Sequence, residues 1–455
     1  MSLTEDASWI KMRVLFLTNF YMIHGAGGEE QSCRQVVEGL KQRGHETLVL
    51  TSMHGHNNSP VEVDGIYRSL YLEMDLVPLW HSVIFFTKRK TREKHNLQVF
   101  ERVLRQFDPD IIFIWGMWNL PYSLPAFAES RYSHKVVYRF ATYWPTLPSQ
   151  HELYWRTPGR NWYSRLPKQV LGNIALAMLS REAQKTPLAF RHAMCVSTAT
   201  RKVLVEAGVP VSHARIIHTG LDVRHYLSSG EQRSRPDEDK SLNLLYAGRI
   251  YPEKGIDTVI DAMDQLVNDQ GRQYVRLSLA GSGSVEYENH LRQLVNQAGL
   301  TDNVSFLGWV PPANMPELLR KFDVLILPSI WPEPFARAVL EGMISGLVVV
   351  AARTGGTPEI IADGENGLLF NPSDPEDFAK KIAHLSEDPE SRKQMGYAGK
   401  QTILNRFTMG RMMDEIENYL QEIASASASK KPRLHETIQK TSQADKRAGL
   451  PTPHN

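Results

Sequence analysis

The sequence predicts an α/β protein made of two doubly wound, Rossmann-like domains, and three observations carry that prediction. From residue 12, "MRVLFLTNF" is an almost continuous apolar run, the signature of a strand covered on both faces in a parallel sheet. It leads through the loop "GAGGEE" into "EEQSCRQVVEGLKQRGHE", with helical apolar spacing and a Gly44 that suits a helix end, and then into the strand "ETLVLTS" at 46–52. That is a βαβ opening. Second, the pattern restarts at "LNLLYAGRI" after the polar, turn-rich "LSSGEQRSRPDEDK" of 227–240. Third, 455 residues exceed what one ordinary core organises.

The remaining elements follow in order. "DIIFIWG" at 110–116, preceded by the helical "LQVFERVLRQF", and "KVVYRFA" at 135–141 continue the first series of strands. "VRLSLAGSG", "NVSFLGWV", "DVLILPS" and "GLVVVAA" continue the second, with helical segments between them. The change of domain is placed within 195–240, giving an N-terminal domain over 1–200 and a C-terminal domain over 201–422. The last helix, "RMMDEIENYLQEI", is free to pack back on the N-terminal domain. From 423 to 455, "ASASASKKPR" and a polar remainder read as a disordered tail.

Composition excludes several classes of function. Hydrophobic residues make up 42% and charged residues 22%, the balance of a soluble globular chain. With 52 basic against 50 acidic side chains there is no overall field for nucleic acid. Two cysteines, Cys33 and Cys195, build neither a disulfide framework nor a structural zinc site, and no signal peptide is apparent. The expected setting is cytoplasmic, at most peripheral to the inner face of a membrane. The longest apolar runs, including "VLGNIALAML" at 170–179, fall short of the ~20 residues that span a bilayer.

Three segments could carry chemistry. In "EPFARAVLEGM", Glu333 and Glu341 stand eight positions apart. If Pro334 opens a helix, a rise of ~1.5 Å per residue separates their backbones by roughly 12 Å, too far to flank one glycosidic bond and suited to an elongated, hydroxyl-rich ligand. The amides of Phe335, Ala336 and Arg337 then lie at the helix start, where donors favour oxygens and negative charge. In "YAGRIYPEKGID", Gly248, Arg249 and Lys254 leave a buried strand, and the two cations make a diphosphate clamp at the strand's carboxyl end. In "RTGGTPEIIADGENGLLF" the paired glycines permit close approach of backbone amides to a ligand, ahead of a helix begun by proline and glutamate. Each also reads as ordinary solvated charge or turn. "DPD" at 108–110 has the spelling of a metal motif but reads as a turn before its strand.

Taken together, "GRIYPEKG", "LAGSGS", "VSFLGWV", "PSIWPEPFARAVLEGM", "GGTPEII" and "NGLLF", in that order, resemble glycosyltransferase family 4, retaining enzymes of the GT-B fold. The resemblance implies two Rossmann-like domains facing a cleft that closes around a nucleotide-diphosphate sugar. It matches Arg249 and Lys254 to the phosphates, Glu341 to the ribose, Glu333 to the donor sugar, and Gly27 and Gly28 to the N-terminal loop facing the cleft. It implies hexose transfer with retention, no metal and no cofactor beyond the sugar donor. In "VVYRFATYWPTLP", Ala141 and Thr142 stand where many members have histidine and aspartate, while Tyr143, Trp144 and Pro145 match; Ala336 replaces a common glycine. A sugar-nucleotide-binding protein without catalysis, or another GT-B enzyme such as an epimerase or a phosphorylase, stays open as the alternative. The acceptor is a glycan, a lipid-linked sugar or a small molecule. The basic, aromatic stretches 83–96 and 155–168 suit either a solvated surface or contact with anionic headgroups. His24 in the glycine loop is a further candidate for substrate contact.

Overall fold

The computed structural model describes residues 11–21, 27–54, 60–75, 81–159, 161–183, 187–227 and 241–428. The first sheet contains β1 (Arg13–Leu17), β2 (Glu46–Ser52), β3 (Val61–Val63), β4 (Ile66–Leu70), β5 (Ile111–Ile114), β6 (Val136–Phe140), β7 (Ala193–Cys195) and β8 (Arg215–Ile216). Their order is β3-β4-β2-β1-β5-β6-β7-β8, parallel except for the β3–β4 pair. The second sheet contains β9 (Leu242–Ala247), β10 (Val275–Ala280), β11 (Val304–Gly308), β12 (Val324–Leu327), β13 (Val348–Ala352) and β14 (Leu368–Phe370). Its order is β11-β10-β9-β12-β13-β14, parallel throughout.

Alternation of side chains across each strand explains the continuous apolar runs. Leu15 and Leu17 of β1 enter one core, while Val14 and Phe16 enter the core on the opposite face. The predicted helix after β1 runs from Gly28 to Gln42 and ends before Gly44, whose φ of +88° only glycine adopts without strain.

Two boundaries differ from the reading of the sequence. The first sheet continues past residue 200 to β8, so the change of sheet falls after Ile216 and before Leu242. The supposed tail from 423 begins inside a helix, Met409–Ala428, in which Ile423 is buried; residues 429–455 lie outside the described residues. That helix does return to the N-terminal domain. Met412, Met413, Ile416 and Leu420 pack with Val14, Phe16, Val36 and Val37. His45 fastens it: Nδ1 accepts from the Met12 amide at 3.1 Å, so Nε2 carries the proton and donates to Glu417 Oε1 at 2.7 Å.

Ile416 is fully buried between this helix and the first sheet. Ile416→Ala is expected to cost about 2–5 kcal/mol in urea unfolding. The loss should appear as faster amide exchange in β1, and unchanged exchange there would contradict the docking.

Candidate functional site

In both sheets the strand order reverses at a central pair, β1/β5 in the first and β9/β12 in the second. Loops leaving the carboxyl ends of such a pair diverge and open a crevice. Gly248 and Arg249 follow β9, and both are exposed. The loop after β10 lies directly against them. A Cβ on Gly283 would come within 1.6 Å of Ile250 O, and one on Gly281 within 1.8 Å of Gly248 O, so "LAGSGS" needs its glycines for packing. Arg249 projects beside Tyr251, 5.7 Å from the ring centroid.

Lys254 closes the 3₁₀ turn Pro252–Lys254, and Gly255, at φ +66°, carries the chain past Pro328 at the exit of β12. Glu253 O accepts from the Ile330 and Trp331 amides at 3.1 Å each, which sews the two exit loops together. Lys254 Nζ forms an ion pair with Glu333 Oε1, and Ser329 Oγ donates to the same oxygen at 2.9 Å. Both charged side chains are largely withdrawn from solvent.

Pro334 does not open a helix. The helix spans Arg337–Ile344 with Ala336 as its cap, and Glu333 stands in the loop before it. The two glutamates are therefore not carried on one helix, and a rise-per-residue spacing does not apply to them. What holds Glu333 is tertiary: Pro332 O accepts from Tyr143 Oη at 2.7 Å, Glu333 O from the Gly356 amide at 2.8 Å, and Pro334 O from Ser197 Oγ at 2.6 Å. Tyr143 and Ser197 belong to the N-terminal domain. Gly355 and Gly356 serve this loop by close packing. A Cβ on either would approach Glu333 O or Pro334 O within 2.3 Å. The expected helix after them is only the turn Thr357–Glu359.

Glu341 is paired locally, accepting from Arg337 Nε at 2.9 Å, and its charge lies close to Tyr226. Arg337 reaches across the domains to Gln35 Oε1 at 3.3 Å and lies beside Gly28. Gly28 thus lies against a residue of the second domain, and Gly27 caps the helix Gly28–Gln42. His24 lies outside the described residues. The "DPD" turn is structural: Asp108 caps a helix in the left-handed region, and Asp110 accepts from the Arg13 amide at 2.9 Å.

Sequence reasoning missed two carboxylates. Glu359 accepts from the amides of Thr198 and Ala199 at 3.0 and 2.8 Å, at the start of the N-terminal domain's helix Thr198–Glu206, and meets His218 at 3.1 Å. Burial alone would raise its pKa, but those donors hold it below the ordinary value. Glu29, beside the glycine pair, is half-buried, yet its Oε1 is shut off from solvent and finds no hydrogen-bond partner among the described residues. Burial, with Glu30 nearby, pushes its pKa up to about 8 despite the neighbouring Thr142 hydroxyl. The signal for Glu359 was the helix cap it supplies from a distant segment, which sequence spacing does not contain.

The family model described as Glycosyltransferase Family 4 matches residues 26–225, and that described as Glycosyl transferases group 1 matches residues 229–402. The chain belongs to glycosyltransferase family 4. A D-inositol 3-phosphate glycosyltransferase of Corynebacterium efficiens is 31% identical over 189 residues, 40% of this chain and 44% of that one. Spore coat protein SA of Bacillus subtilis is 26% identical over 219 residues, 45% of this chain and 58% of that one. The chain spans about half the length of the curated relatives it matches. Among solved structures, sucrose-phosphate synthase of Thermosynechococcus elongatus aligns with a TM-score of 0.65 at 17% identity, over 91% of this chain and 100% of that one. Anabaena HepE in complex with UDP aligns at 0.61 and 21% identity, over 90% and 100%. The fold of the chain is GT-B.

Glu29 supplies a pH test. A carboxyl whose folded pKa stands near 8, against an ordinary value of 4.5, binds an extra proton in the folded state between those limits. Its contribution to stability is therefore complete below the ordinary value and declines as pH rises through 8. Glu29→Gln should gain stability relative to wild type on going from about pH 5 to about pH 9 in urea unfolding. An equal difference at both values would show that the carboxyl ionises normally.

Proposed function

We propose that this chain transfers a hexose from a nucleoside diphosphate sugar to a hydroxyl acceptor, with retention of anomeric configuration and without a metal or resident cofactor. The observation that carries this reading is the Lys254–Glu333 pair at the β9/β12 switch point, beside Arg249 and under the N-terminal domain. Structures of Anabaena HepE hold UDP and UDP-glucose on a similar fold, which supports a nucleotide-sugar donor here.

In this reading Arg249 and Lys254 face the diphosphate, aided by the amides of Phe335, Ala336 and Arg337 leading into the helix. Glu341 receives the ribose hydroxyls. Among the described residues the hydrogen bonds to the Glu333 carboxylate fall on Oε1, which leaves Oε2 for a hydroxyl of the donor sugar. The acceptor oxygen attacks the anomeric carbon on the face from which the diphosphate departs. As the carbon–oxygen bond to the diphosphate breaks, the acceptor's proton passes to the departing phosphate oxygen. Lys254 and Arg249 stabilise the charge that develops there, a preorganised contribution of the largest kind. Neither glutamate acts as a nucleophile.

The test is turnover of UDP-, GDP- and ADP-sugars in the presence of EDTA, with NMR of the product anomer. Lys254→Ala and Glu333→Gln should each lower kcat by about 100-fold or more with the fold intact. Near-normal turnover in both, or an inverted product, would overturn the assigned mechanism. Tight donor binding without turnover under any acceptor would instead favour a sugar-nucleotide-binding protein, the reading that Ala141 motivates.

A further inference from the structure

A cavity of about 790 Å³ lies in the N-terminal domain between the helices Arg89–Phe107, Gln150–Arg156 and Trp162–Ala183. Its volume is in the range that encloses a small ligand. Its polar wall carries Glu73, Tyr122, Ser123 and Arg89; its apolar wall includes Leu147 and Leu176. Ser123 and Arg89 line it, although their Oγ and Nε atoms are shut off from solvent and have no hydrogen-bond partner among the described residues; Arg89 is engaged through its Nη atoms by Glu182. Glu73 Oε2 accepts from the Gln150 amide at 3.1 Å. Burial raises the Glu73 pKa to about 8, so this wall presents a neutral carboxyl, both donor and acceptor, at neutral pH. One edge of the cavity is tied to the loop that carries Glu333. Its lining includes Pro145 and Leu147, in the turn that starts at Tyr143, and Tyr143 holds Pro332 O beside Glu333.

The helix that roofs this cavity is unusual on its outer face. Leu166, Val170, Ile174 and Met178 recur every four residues there, joined by Leu171, and Leu166 is 71% exposed. Gly172 and Ala175 form the packed side, against Trp155. Val83 and Phe86 extend the exposed apolar surface, the Phe86 ring lying 5.6 Å from that of Trp155. The helix Trp162–Ala183 carries three cations, Arg165, Lys168 and Arg181, against one acid, Glu182, which is paired with Arg89 and Lys90. Ala177 both lines the cavity and is exposed, so the apolar stripe and the cavity meet along the helix. An apolar stripe flanked by cations is the pattern of a helix lying in an anionic bilayer interface, and continuity with a cavity of hydroxyl-binding groups selects a lipid over a protein partner.

We propose that this cavity receives the hydroxylated headgroup of an amphipathic lipid acceptor, drawn from an anionic membrane on which the outer face of the Trp162–Ala183 helix rests. The assignment of the lipid as acceptor depends on the glycosyltransferase reading above; the membrane contact and the headgroup site do not.

The experiment uses the full chain with vesicles of phosphatidylglycerol or of phosphatidylcholine, and with dodecyl glucoside as a defined amphipathic probe. Wild type should sediment with phosphatidylglycerol and not with phosphatidylcholine. Ile174→Glu combined with Met178→Glu should weaken that binding about tenfold or more, with hydrolysis of the sugar donor unchanged. Wild type should bind dodecyl glucoside more tightly than glucose, and Ser123→Trp should weaken the probe about tenfold while vesicle binding reports an intact domain. Leu176→Trp provides a second block of the same cavity. Failure to sediment, equal binding to both lipids, or a double variant that instead dissociates a dimer would overturn the membrane assignment. Probe binding untouched by both tryptophans would overturn the cavity assignment. Absence of donor hydrolysis in wild type, with vesicle and probe binding intact, would count against the enzymatic reading alone.

Discussion

The arrangement of the site depends on how the backbone of Pro332–Pro334 is held. Two prolines bracket Glu333, and neither has an N–H to place in a sheet or helix, so the segment has little regular structure available to it. Its three carbonyls are satisfied one by one instead, by Tyr143, Gly356 and Ser197. Two of those three donors come from the other domain. The direction in which Glu333 points is therefore a property of both domains together, and any rearrangement that parts them exchanges two direct hydrogen bonds for water.

Charge follows the same plan. Lys254 and Glu333 are both poorly exposed, and each offsets the desolvation of the other; removing one would leave an uncompensated charge at the centre of the crevice. Ser329 adds a neutral donor to the same carboxylate, which keeps the pair in one geometry. Glu359 works at longer range, a carboxylate of the second domain seated on the first turn of a helix of the first, where amides and dipole both favour it. Opposing these fixed pairs is Glu29, a carboxyl that its surroundings favour in the neutral form.

The fold was legible in the sequence because strands buried on both faces read as unbroken apolar runs, and two series of such runs separated by a polar segment describe two sheets. Arg249, Lys254 and Glu333 stood out in the sequence because they follow the ends of strands. What sequence spacing does not hold is tertiary. Pro334 has the look of a helix start, yet its carbonyl is taken by Ser197 and the helix waits until Arg337. The glycine pair 355–356 looked suited to a ligand and is used to let two loops touch. The run at 170–179 read only as too short to span a bilayer; periodicity alone does not say which face of a helix is covered, and here Val170, Ile174 and Met178 are not.

The chain passes between domains twice, and the two passages are joined. Leu221 and Thr408 pair as a parallel bridge, with the Leu221 amide donating to Phe407 O at 2.8 Å and the Met409 amide donating to Leu221 O at 2.9 Å. Gly220 makes this possible, since a Cβ there would lie 2.4 Å from Thr408 O. Two short segments bound side by side resist twisting and shear more than a single linker does. Relative motion of the domains must pass through this narrow pair, while Glu359, Tyr143 and Ser197 tie the loops nearer the ligand crevice. The helix Met409–Ala428, anchored through Ile416 and Glu417, keeps the second passage fixed to the first sheet.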